Sequence, residues 1–142
     1  MILIEKVAKH LDFTYVVTFR TGLGVRSGYV AVPASYEVQD EKIKVHNGID
    51  YIGGGDFPII TKAKSTTWYG FDCGSENDKV DLKKLNELIE SETINEETKK
   101  QIRTLIDFEV DYKLSSSSNT VKSHDFVEKE CKSVIEQIKE QQ

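Results

Sequence analysis

The hydrophobic period of this chain changes once, near Asp78, and that change limits the folds open to it. Before it, apolar and polar residues alternate as they do in strands; after it, apolar residues recur every three or four positions, as on one side of a helix. The expectation is an α+β domain spanning 1–142. Its β-rich part (1–75) forms a bent antiparallel sheet, followed by a helical part (78–142). A chain of 142 residues is long enough for a core of its own and too short for two independent ones.

In the first part, Phe13, Tyr15, Val17 and Phe19 fall on one face of a strand and Thr14, Val16, Thr18 and Arg20 on the other, the pattern of a half-buried antiparallel strand. Thr21 to Gly24 supply turn chemistry before a second strand, Arg26 to Pro33. Arg20 and Arg26 flank that turn. Each alone reads as a solvated edge cation, but two guanidinium forks beside exposed amides are also a way to hold a pyrophosphate. Gly22-x-Gly24 lacks both the third glycine and the following helix of the dinucleotide fingerprint, and no Walker phosphate loop is present. Lys42 to His46 reads as a short strand, and Asn47-Gly48 as a hairpin turn into Ile49 to Ile52. Gly53 to Gly55 break the sheet, and Pro58–Thr61 and Thr67–Cys73 bring the total to roughly six strands.

The last of these strands carries the most chemistry. Trp68, Gly70 and Asp72 share one face, placing a flat ring, a gap and a carboxylate in a row where a planar ligand could approach the backbone. The plainer reading is an inner strand whose glycine relieves crowding.

Beyond Asp78, Asp81 caps a helix bearing Leu82, Leu85, Leu88 and Ile89. Thr93 with Glu96 forms a capping-box pattern ahead of a second helix with Ile102, Leu105 and Ile106 inward. Arg103 and Asp107 lie beside that stripe, either as a surface ion pair or with Arg103 reaching over the sheet as a further phosphate contact. Ser115 to Asn119 reads as a polar loop. A final helix from about Asp125 places Val127, Cys131, Val134 and Ile138 in line, widened by Phe126 and Ile135; it packs on the sheet or builds a homodimer.

Nineteen Lys and Arg against twenty-four Asp and Glu, a net charge of -5 with only three arginines, make a poor binder of DNA or RNA polymers. No apolar stretch approaches the roughly 20 residues of a membrane span, and Met1 to Lys9 is too short and mixed for a signal peptide, so a cytoplasmic location is expected. Cys73 and Cys131 lack a C-x-x-C spacing, and His10, His46 and His124 are scattered, so neither a disulfide nor a metal site is written locally. No activated nucleophile or pair of catalytic carboxylates stands at recognisable spacing, and no cofactor is implied.

In order of parts, the chain resembles the Thoeris anti-defence sponges of phages and prophages. The likeness rests on the block Arg26, Ser27, Gly28, Tyr29, Val30, Ala31, Val32, Pro33, then Val45, His46, Asn47, Gly48, then Trp68, Tyr69, Gly70, Phe71, Asp72, and finally Phe126, Val127, Glu128, Lys129, Glu130, Cys131. The resemblance implies a non-enzymatic protein that sequesters a cyclic ADP-ribose isomer, glycocyclic ADP-ribose, made by a bacterial TIR-domain immune enzyme. It also implies a homodimer or higher homo-oligomer with pockets at subunit junctions and aromatic and arginine contacts; Arg26, Phe71, Asp72 and Arg103 best suit those roles. Pattern and resemblance together give Phe19, Arg20, Arg26, Trp68, Phe71, Asp72, Arg103 and Asp107 as expected ligand contacts. Cyclic oligonucleotides stay open as further ligands. The opposing class is a hydrolase that degrades the signal with Asp72 or His46 as base.

Overall fold

The N-terminal strands form one five-stranded antiparallel sheet in a computed structural model that describes residues 1–59, 66–75, 78–112 and 120–142. The strands are β1 (Ile2–His10), β2 (Phe13–Arg20), β3 (Val25–Pro33), β4 (Tyr51–Gly53) and β5 (Thr66–Asp72), in the order β1-β2-β3-β5-β4. A short parallel pair, β6 (Asp78–Lys79) and β7 (Thr120–Val121), precedes and follows helices α1 (Leu82–Ile89) and α2 (Glu96–Tyr112). Helix α3 (His124–Glu140) closes the chain. The expected α+β arrangement, sheet first and helices after, is the one observed. Among the described residues no helix is long and apolar enough to cross a membrane.

Helix α3 covers one face of the sheet. Its Val127, Cys131, Val134, Ile135 and Ile138 are fully buried against Phe13, Tyr15, Val17, Val30, Val32 and Phe71. Each such side chain contributes roughly 1.5–3 kcal/mol on burial, so this contact dominates the core. Most of the stripe is thereby buried within one chain, with Phe126 half-buried at its edge. Gly28 permits the close approach: a Cβ there would lie 2.5 Å from Phe71 Cζ and 2.7 Å from Cys131 Sγ.

The expected strand at Lys42–His46 is not a strand. This segment runs beside α3, and glutamine side chains satisfy its backbone: Gln137 accepts from Lys44 N at 2.7 Å and donates to Lys44 O at 2.8 Å, while Gln141 does the same for Gln39. Asn47 and Gly48 do take the positive φ values (62° and 76°) that a tight hairpin turn needs. The chain leaving them pairs with β5 instead of with the preceding segment. β1 is a full strand that the sequence reading passed over. β2 is buried on both faces rather than one, because Val16, Tyr29 and Trp68 form a second apolar cluster with Tyr51, Phe57 and Ile59 on the side away from α3.

Asp81 caps α1 as expected, accepting from Lys84 N at 3.0 Å. At α2 the cap is Asn95, whose Oδ1 accepts from Thr98 N at 2.8 Å, in place of the Thr93 box. Ile102 of α2 and Leu85 and Leu88 of α1 bury Phe19 in a third cluster. The polar loop expected at 115–119 and the 60–61 end of the strand expected from Pro58 lie outside the described residues.

Candidate functional site

Period two sorts the sheet's side chains onto two faces, and the face away from α3 carries the candidate site. In register on this face stand Thr18 and Arg20 of β2, Val25, Ser27 and Tyr29 of β3, Gly70 and Asp72 of β5, and Tyr51 of β4. Of these, Arg20, Val25, Ser27, Tyr29, Tyr51 and Asp72 border a cavity of about 450 Å³, lined also by Leu23, Asp50, Phe57 and Gly74. That volume lies within the range of small-molecule sites.

One wall is aromatic. Tyr29, Tyr51 and Phe57 meet edge to face, with ring centroids 5.2–5.8 Å apart. Along the floor, Arg20 stands opposite Val25, and its Nη2 reaches toward the Tyr29 hydroxyl at 3.5 Å, so the guanidinium lies along the row of Val25, Ser27 and Tyr29. The buried Arg20 Nε and Ser27 Oγ have no hydrogen-bond partner among the described residues. Buried polar groups are normally satisfied, and two orphans in one cavity point to a ligand that satisfies them.

A second part of the lining is a pair of carboxyls. Asp50, placed by its N–H donating to Gly70 O at 2.9 Å, hydrogen-bonds through its side chain to Asp72. Burial, and next the bond and charge of Asp72, push Asp50 up to about 7. Asp72 is held below the usual carboxylate range by the hydrogen bond from Asp50, with help from the Gly74 amide and the Arg20 charge. Near neutral pH the two thus share one proton, Asp50 donating and Asp72 accepting.

The expected contacts divide. Arg20 and Asp72 do meet in this cavity. Trp68 is fully buried in the apolar cluster beneath Tyr29, and the gap at Gly70 is filled by the Tyr29 ring, 2.7 Å from where a Cβ would sit. Phe71 faces α3, and Phe19 packs against α1 and α2. Arg26 lies on the α3 side with its guanidinium over the Phe19 ring, and it is held by Glu5 and Asp81, each at 2.6 Å. Burial alone would weaken its charge, but those two carboxylates hold it protonated. Arg20 and Arg26 therefore cannot grip one pyrophosphate. Arg103 is half exposed on α2 and among the described residues pairs with Glu96, at 3.9 Å, and Asp107 is exposed beyond it. Asp50, Tyr51, Ser27, Tyr29 and Phe57 were missed; period two from Asp72 leads to Ser27 and Tyr29 once β3 is its neighbour, but nothing local marks Asp50 or Phe57.

A second polar cluster ties the loops together. His46 Nε2 lies 2.6 Å from Asp78 Oδ1, Asn47 donates to Asp78 at 3.0 Å, and Lys122 Nζ stands 3.3 Å away. Burial would raise the Asp78 carboxyl, but the bonds from Asn47 and His46 prevail and keep it ionised. His124, Asp125 and Glu128 have ligand atoms within 4.8 Å of one another, but Glu128 is engaged by Lys6 and Tyr15. Burial raises both thiols, Cys73 to about 12, which makes them poor nucleophiles. Comparison with protein-family models, curated proteins and solved structures finds no match for this chain.

Proposed function

We propose that the protein captures a nucleotide-like small molecule in the cavity on the open face of its sheet and holds it intact, as a Thoeris anti-defence sponge holds a cyclic ADP-ribose isomer. The observation that carries this reading is the joining of an aromatic wall to an arginine whose buried Nε has no partner among the described residues, in one cavity of about 450 Å³. A purine face suits Tyr29, Tyr51 and Phe57, and phosphate oxygens suit Arg20. Glycocyclic ADP-ribose in the bacterial host cytoplasm is the ligand that the resemblance singles out.

One observation favours a second reading. A carboxyl with its proton poised near pH 7, beside an ionised partner, is also what a hydrolase uses for acid–base chemistry. Calorimetric titration with glycocyclic ADP-ribose and other cyclic nucleotides, followed by heat denaturation and mass analysis of what is released, separates the two. The sponge returns intact ligand, and the hydrolase returns fragments. Arg20→Ala should weaken binding at least about tenfold with the fold retained, since one charge-assisted contact is lost. Absence of binding by every cyclic nucleotide removes the sponge reading.

A further inference from the structure

We propose that Asp72, Asp50 and Ser27 form a subsite for the vicinal hydroxyls of a ribose-type ring. The inference rests on the reading of this cavity as a small-ligand site, and it assigns the part of the lining that holds the carboxyls.

Ser27 and Asp72 are direct cross-strand partners on the open face of the sheet, and the Asp50 carboxyl is bonded to Asp72. Side chains so paired stand about 5 Å apart at their Cβ atoms, close to the span of two neighbouring ring hydroxyls with their hydrogen bonds. Ser27 is only 1% exposed, and its Oγ has no partner among the described residues although it lines the cavity. A hydroxyl buried this way costs free energy until something bonds to it.

A cis-diol matches this set of groups. Each ring hydroxyl offers one proton and two lone pairs, and the carboxyl oxygens accept the protons. The Ser27 hydroxyl donates to one of the ring oxygens, which satisfies its orphaned group. A metal ion is the less suitable occupant, because the Arg20 guanidinium faces the same two carboxyls.

The test uses the full chain and small probes that carry or lack the diol: adenosine, 2′-deoxyadenosine, 3′-deoxyadenosine and methyl β-ribofuranoside, titrated to millimolar concentration by NMR. Adenosine is expected to bind at least about tenfold more tightly than either deoxy form. The shifts should centre on Ser27, Asp50 and Asp72. Asp72→Asn, Asp50→Asn and Ser27→Ala, each checked for folding by thermal melt, should each narrow that difference. Equal binding of adenosine and its deoxy forms overturns the inference, as does failure of all diol probes to bind. Should glycocyclic ADP-ribose bind while the diol makes no difference, the sponge reading stands and this subsite falls. If adenosine binds through its diol and no cyclic nucleotide does, the subsite stands and the sponge reading falls.

Discussion

Arg20 and Arg26 flank one glycine-bearing turn and project from opposite faces of the same sheet, the first into an open cavity and the second into a buried ion cluster. The register explains this. Arg20 pairs with Val25 across the turn, so Arg26 is one step out of phase and points the other way. Two cations that look alike in sequence thus have different roles, one available to a ligand and one committed to the fold.

Arg26→Ala should therefore destabilise the protein rather than only weaken ligand binding. It would leave Asp81 without its cation and Glu5 with Lys84 alone, at 3.3 Å, a loss of about 3 kcal/mol. Urea unfolding should show a large drop in midpoint, whereas Arg20→Ala should unfold close to wild type.

Gly28 should not tolerate a methyl group. An added Cβ would meet Phe71 and Cys131 at 2.5–2.7 Å inside the main core, and such overpacking costs about 1–3 kcal/mol. Gly22, in open space on the β2–β3 turn, is the control: Gly22→Ala should change stability by less than about 0.5 kcal/mol. Chemical denaturation of both variants checks the pair.

The Asp50–Asp72 pair should leave a mark on stability near neutral pH. Asp50 keeps its proton up to about 7 when folded and loses it far lower when unfolded. The folded state therefore binds more protons across that window, and stability falls as pH rises through it. Asp50→Asn removes the effect. The variant should come closest to wild type below about pH 4 and exceed it at pH 8, by about 1 kcal/mol once solvent screening is allowed for. Melting curves at the two pH values test the crossover.

Glu128 should set part of the acid limit. It is lowered to about 2, first by the Lys6 bond and next by the Tyr15 hydroxyl, which donates at 2.6 Å. Because its folded value lies below the unfolded one, its contribution is complete above the usual glutamate range and disappears as pH falls toward 2. Glu128→Gln should cost about 2 kcal/mol at pH 7 and flatten the acid limb of the stability curve. Acid titration followed by circular dichroism reads both.

The large elements follow from local pattern alone. The alternation of Phe13 to Phe19, the Asp81 cap and the stripe Val127, Cys131, Val134 and Ile138 each follow from periods and caps that neighbouring residues impose. Lys42–His46 misled because alternation alone does not supply a partner: glutamines of the last helix, remote in sequence, bond its backbone. The candidate site was half legible. Arg20 and Asp72 were named from local pattern, but their meeting depends on β3 lying between β2 and β5, which strand pairing over long separations decides. Trp68 was expected to face a planar ligand and Phe71 was expected as a contact from the resemblance, yet their large apolar area drives both into the core. Asp50 gains its role only when β4 docks on β5 and brings its carboxyl to Asp72, because a proton is shared only between groups that the tertiary structure holds in contact.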